Sequence, residues 1–224
     1  MAEIIKLHPV TPHVKRVFDI VDRLRAGEIM LFPSDTQHAL GCDYTNKKGV
    51  DRIRNIRKLD SDHMFTLICD SLTGISKFAN ISTDNFKIIK RLIPGPYTFI
   101  LPGTKEVPRL LLHPKRKTVG FRVPSHPICE QIIAELGHPL LATSAKAPDE
   151  LVPDGDPQFT DELFRIFDHL VDIAIDDEQP LQTVESTIID MTGDVPSIIR
   201  VGEGFERVEE VFALHDLDAA LSES

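Results

Sequence analysis

The sequence has no apolar run approaching the roughly 20 residues that a membrane-spanning helix needs. Its opening, MAEIIKLHPV, lacks the basic-then-apolar form of a secretory signal. It is also short of cysteine. Cys42, Cys69 and Cys129 are odd in number, form no C-x-x-C pair and sit in apolar stretches. Three reduced, buried thiols are expected rather than a disulfide framework. Together these absences predict a cytoplasmic chain with no membrane partner.

Cations are in deficit: 25 Lys and Arg against 35 Asp and Glu, a formal charge of -10. That excludes a nonspecific coat for nucleic acid but leaves room for a local basic face, because salt screens charges beyond about 10 Å. Several reaction signatures are missing as well. There is no G-x-x-x-x-G-K-[ST] or G-x-G-x-x-G phosphate loop and no G-x-S-x-G nucleophile elbow. The nine histidines form neither H-E-x-x-H nor a zinc spacing with cysteine, so no protein-bound metal is expected. Asp176, Asp177 and Glu178 are adjacent and read as a solvated loop, because neighbouring carboxylates repel.

What is present reads as an α/β protein. The 224 residues, 42% apolar and 27% charged, suit one large soluble domain. Thr11 and Pro12 open a helical pattern in which Val14, Val17, Phe18, Val21 and Leu24 make one apolar stripe. IMLFP, FTLIC, YTFIL, TVGFRV and PLLATS read as strands, with helices over 49–59, 71–79, 83–92 and from Pro127. Residues 145–159 read as a loop and 160–168 as a helix. Strands at LVDIAI, STIID and SIIRV follow, then a last helix near 206–213. Alternating strands and helices predict an α/β fold. The hairpin-length MTGDVP between the last two strands adds antiparallel pairing, so a mixed sheet is expected.

One stretch runs against the overall charge. KRKTVGFRVPSHP carries Lys115, Arg116, Lys117 and Arg122 within eight residues. Arg122 precedes the N-terminus of a helix, whose free N–H groups and partial positive charge complete a site for phosphate or carboxylate. The plainer alternative pairs Arg122 with one of the many surface carboxylates. Ser34-Asp35-Thr36, Thr143-Ser144, Ser186-Thr187 and Arg200 all lie at strand ends, where α/β sheets bind ligands. Each pair alone also fits an ordinary turn or cap.

These residues fall in blocks that resemble the YrdC/YciO family. FPSDTQHALGCD is similar to its "yPTdTvyGLgcd", PGPYTFILPG to "wPGPvTlIlp" and VGFRVPSHPI to "vgvRvPdhp". ATSA and STIID...IIRVGEG are similar to "aTSAN" and "STIvD...ilRpG". GTKEVPRLLL and KRKTVG point to the YciO branch. The resemblance implies a single twisted mixed-sheet domain with a concave, positively charged face, expected over residues 1–205; residues 206–224 read as a C-terminal helix and acidic tail. It also implies the synthesis of threonylcarbamoyl-adenylate from threonine, bicarbonate and ATP, which feeds a tRNA modification, and the binding of double-stranded RNA or tRNA. Mg²⁺ would arrive with ATP as substrate.

By resemblance, Thr36 and Arg122 hold threonine, while Ser144, Ser186, Thr187 and Arg200 lie along the nucleotide, ATP or AMP. Lys115, Arg116 and Lys117 would meet RNA. The catalytic positions are Arg57, Ser144 and Lys146. Here the sequence departs from the family's K-x-R and S-x-N pairs. Arg57 replaces the Lys, Leu59 the Arg and Lys146 the Asn, and the position of the family's next Lys falls near His63. A leucine cannot neutralise phosphate, so weak, absent or altered adenylate synthesis is expected. A non-catalytic RNA- or ribosome-binding module is the alternative.

Overall fold

The computed structural model describes all residues except 61–62, 64, 148, 153–155 and 223–224. The described residues form ten strands, β1 (Glu3–Lys6), β2 (Met30–Phe32), β3 (Ala39–Asp43), β4 (Thr66–Ile68), β5 (Tyr97–Pro102), β6 (Thr118–Arg122), β7 (Leu140–Ser144), β8 (Ile173–Asp176), β9 (Thr187–Asp190) and β10 (Ser197–Arg200). Seven α-helices accompany them among the described residues: α1 (Val14–Arg25), α2 (Lys47–Ile56), α3 (Leu72–Phe78), α4 (Thr83–Leu92), α5 (Pro127–Leu136), α6 (Thr160–Phe167) and α7 (Phe205–Ser222).

The strands form one mixed sheet in the order β1-β8-β2-β3-β7-β4-β6-β5-β9-β10. β4 runs parallel to β6 and β5 parallel to β9, whereas β3, β7 and β4 pair antiparallel in turn. The strand period of two sends neighbouring residues to opposite faces. Leu40, Cys42, Leu67, Phe99, Phe121 and Leu141 enter the larger core, with buried residues of α2, α3, α4, α6 and α7. Ala39, Ile68, Leu140 and Ala142 face the other way and pack under α1 and α5. That second core contains no residue of β6, β5, β9 or β10. Four of the ten strands are therefore left without this apolar cover on that face, and the cavity lies where they meet β3, β7 and β4.

Several local expectations change. Thr11 does not cap α1, whose N-cap is His13 without a side-chain bond. Thr11 is held by the His8 ring, its backbone N–H 3.1 Å from Nδ1, so the helix starts later. Asn46 caps α2 through Lys48 and Gly49, which moves that helix forward to Lys47. Ser82 caps α4 by accepting from the Asn85 N–H. Residues 145–159 contain a short 3-10 helix, Asp149–Leu151. The last helix runs on to Ser222 and buries Val208 and Val211 in the larger core. No helix among the described residues is long and apolar enough to cross a membrane.

The reading of residues 176–178 as a solvated loop fails for Asp177. Its carboxylate is buried, 3.6 Å from His126 Nε2. Burial pushes its pKa up, but hydrogen bonds from His126 and the Gln179 backbone outweigh that and hold it below the usual range. The three cysteines are free and buried, and burial raises each thiol pKa.

Candidate active site

Phe99 and Phe121 are paired across β5 and β6 and enter the larger core. Their neighbours Thr98 and Arg122 must then face the opposite side, where both line a cavity of about 170 Å³. Thr66 of β4, Ser144 of β7 and Ser34 and Thr36 of the β2–β3 turn complete its polar wall. The floor is low because Gly120 and Ala142, paired with Thr66 across the sheet, carry little or no side chain.

Arg122 is nearly buried, and its guanidinium is fully oriented. Nη1 donates to Thr36 Oγ1 at 2.9 Å and Nη2 to Asp35 Oδ1 at 2.6 Å. Asp35 Oδ2 accepts from the Ser125 backbone N–H at 3.0 Å, just before α5. Ser34 Oγ lies 3.2 Å from Thr36 Oγ1 and donates to the Gln37 carbonyl. Arg122 thus has a carboxylate partner, but a buried one rather than the surface carboxylate of the plainer reading, and it still lines the cavity. A charge-assisted donor held on two sides is preorganised for a small anionic group.

The opposite wall is built on β9 and β10. Thr98 Oγ1 and Ser186 Oγ are 2.9 Å apart. Arg200 Nη2 donates to the Ser186 carbonyl at 2.8 Å and to its hydroxyl at 3.1 Å. Arg200 Nη1 meets Glu185 at 3.0 Å. Thr187 is fully buried and outside the cavity wall: its hydroxyl donates to the Glu203 carbonyl and accepts from Gly202 N–H.

Arg57 does not line the cavity. It reaches from the end of α2 to the Lys146 carbonyl, and Nη2 lies 3.5 Å from Ser144 Oγ. Burial lowers its pKa. Leu59 packs, half-buried, against the larger core. Lys146 lines a second cavity of about 200 Å³, which shares Gln37 and His38 with the first. His38 is buried with both ring nitrogens unpartnered, and desolvation takes its pKa down to about 4. The imidazole between the cavities is therefore neutral at pH 7.

Lys115, Arg116 and Lys117 lie before the start of β6, at the other end of that strand from Arg122, and line neither cavity. Four residues of strand set Thr118 about 13 Å from Arg122. Arg116 lies 3.5 Å from Asp190, and Lys117 Nζ donates to the Pro114 carbonyl. Sequence reasoning placed Thr36, Arg122, Ser144, Ser186 and Arg200 in one site, and they share one cavity. It missed Asp35 as the partner of Arg122, and Thr66 and Thr98, whose side of the sheet depends on register. Among the described residues, no group of three or more His, Cys, Asp or Glu is placed to hold a metal ion.

The Sua5/YciO/YrdC family model, described as telomere recombination, matches residues 22–202. The chain belongs to this family. YciO of Escherichia coli (strain K12) is 38% identical over 205 residues, spanning 91% of this chain and 97% of that one. Its crystal structure superposes with a TM-score of 0.81 at the same coverage. A threonylcarbamoyl-AMP synthase of Vibrio vulnificus (strain YJ016) is 28% identical over 135 residues, 59% of this chain and 72% of that protein. Sua5 of Pyrococcus abyssi complexed with L-threonine matches with a TM-score of 0.81 and 26% identity, over 94% of this chain and 61% of that one. The fold is thus the YrdC-type α/β domain, related to the threonylcarbamoyl-AMP synthases.

Proposed function

We propose that the protein binds a small amino acid and an adenine nucleotide in this cavity and acts in the metabolism of threonylcarbamoyladenosine in tRNA, with little or no adenylate synthesis. The observation that carries the reading is the Arg122–Thr36–Asp35 constellation facing Ser186 and Arg200 across one cavity. Arg122 and Thr36 suit the carboxylate of threonine. Ser144, Ser186 and Arg200 suit a nucleotide. The relatedness to threonylcarbamoyl-AMP synthases and to a Sua5 that holds L-threonine supports the same ligand classes.

Weak synthesis follows from the departures at Arg57, Leu59 and Lys146. Charge builds on departing pyrophosphate and must be met by donors already in place. Leu59 offers none and is packed against the core. Arg57 is committed to the strand end at Ser144 and the Lys146 carbonyl. Losing one such donor costs roughly 2.7–4 kcal/mol, or about 10²–10³ in rate. Lys146 supplies charge but not a bidentate fork.

The test is pyrophosphate release from threonine, bicarbonate, Mg²⁺ and ATP, beside an active synthase. Wild type should release it at least about 100-fold more slowly, and the Leu59→Arg, Lys146→Asn double variant should recover part of the rate. Release at the synthase's rate by wild type would refute the reading.

A second reading, RNA binding, rests on the exposed, unbroken run Lys115–Arg116–Lys117. Contacts to four or five phosphates would make affinity for double-stranded RNA fall steeply between 50 and 200 mM salt. Replacing all three cations with alanine should remove most of that slope and leave threonine binding unchanged. A flat salt response in wild type would exclude this reading.

A further inference from the structure

The cations around the two cavities already have carboxylate neighbours. Arg122 is paired with Asp35 at 2.6 Å, with only about a tenth of either side chain exposed. Arg200 is paired with Glu185 at 3.0 Å. Lys146 shares the wall of the second cavity with Asp156 and the same Glu185. Two cations, Arg122 and Arg200, are thus paired with Asp35 and Glu185, and Lys146 stands on one wall with Asp156. Lys58, the other cation at the end of α2, is paired with Glu150 at 2.5 Å. Arg57 gives both Nη groups to neutral oxygens, which leave its charge uncancelled, but it lines neither cavity.

The first cavity is polar in another way. Seven of its sixteen lining residues carry hydroxyls. Hydroxyls and paired arginines can hydrogen-bond a phosphate or carboxylate without supplying net positive charge. A monophosphate needs little more. A triphosphate carries more charge, and among the described residues lining the first cavity both arginines are already paired, so the lining offers it no unpaired Arg or Lys.

We propose that the site takes its nucleotide at the monophosphate level, as AMP or an acyl adenylate, in preference to ATP. This rests on the nucleotide reading above and narrows it. The chain would then hold, accept or consume an adenylate made elsewhere more readily than make one from ATP.

Calorimetry on the full chain with AMP and with ATP at fixed ionic strength, each with and without Mg²⁺, decides it. AMP should bind at least about tenfold more tightly than ATP under both conditions. Glu185→Gln, which frees the half-exposed Arg200, should raise ATP affinity at least about threefold and AMP affinity less. ATP binding as tightly as AMP would overturn the proposal and leave the nucleotide reading standing. AMP preference that Glu185→Gln leaves untouched would overturn its basis in paired charge. Binding of neither nucleotide would overturn both, and L-threonine titrated in a separate arm would show whether the amino-acid half survives.

Discussion

Asp35 and Arg122 are 87 residues apart in the chain and 2.6 Å apart in space. The contact joins the β2–β3 turn to the end of β6, and Asp35 also holds the backbone at Ser125, where α5 begins. Three elements are thereby fixed around one guanidinium. Both side chains are 11% exposed, so the pair belongs with buried ones. Removing one partner of such a pair costs roughly 3–5 kcal/mol, because the other charge stays buried. Asp35→Ala should lose that much in urea unfolding and weaken threonine binding as Arg122 swings free. A loss under about 1 kcal/mol would mean the pair behaves as a solvated surface bridge.

Much of this site was legible in the sequence because hydroxyls and arginines at strand ends need only local reading. Ser144 ends PLLATS, Ser186 opens STIID and Arg200 ends SIIRV, each where alternation and turns predict a strand end. Thr98 was not legible. Its side of β5 depends on pairing with β6 at Phe99↔Phe121, a long-range fact. Asp177 misled for a related reason: an acidic run looks solvated until His126 is brought beside it. The first turns of α7 are held by tertiary contact, since Val208 and Val211 dock on the core.

Arg57 acts on the site through the backbone at 144–146. Its bond to the Lys146 carbonyl is charge-assisted, a class worth roughly 1.5–3 kcal/mol. Arg57→Ala should release the strand end without unfolding the sheet. Amide exchange at Ala145, whose N–H is bonded to the His38 carbonyl, should speed up about tenfold or more by local opening. Exchange in β6, at Val119 and Phe121, should stay within about twofold. Equal acceleration in both strands would show that Arg57 supports global stability instead.

Two histidines should give opposite pH slopes. His138 lies 3.5 Å from Asp43 through Nε2, and its Nδ1 faces the Pro139 carbonyl at 3.0 Å. Two acceptors favour the imidazolium, and the Asp43 bond raises its pKa. Its stabilisation is therefore complete below the unfolded value of about 6.5 and is lost as pH rises through the higher folded value. His38 is the reverse. Desolvation lowers it to about 4, so the unfolded chain binds more protons between pH 4 and 6.5 and stability falls on acidification. His138→Gln should therefore cost more melting temperature at pH 5.5 than at pH 8.5. His38→Phe, which keeps a ring against Phe164, should remove part of the acid-side loss. Parallel pH profiles for both variants and wild type would refute the assignments.

Gly120 sets the depth of the cavity. A Cβ there would stand 2.9 Å from Thr66 Oγ1, 3.2 Å from the Phe65 carbonyl and 3.4 Å from Thr98 Cγ2. Two of these neighbours belong to the cavity-lining threonines, and the third is backbone, which cannot rotate away. Gly120→Ala should then cost about 1–3 kcal/mol through overpacking and push Thr66 and Thr98 from their positions. Threonine affinity should fall by about tenfold or more. Gly193→Ala is the control, since its new Cβ would meet only the Val195 carbonyl at 3.7 Å. That change should stay within about 0.5 kcal/mol and leave binding intact. If Gly120→Ala weakened stability alone, with threonine affinity unchanged, the ligand would have to sit away from the β4–β6–β5 floor, and the placement of the amino acid beside Arg122 would fall with it.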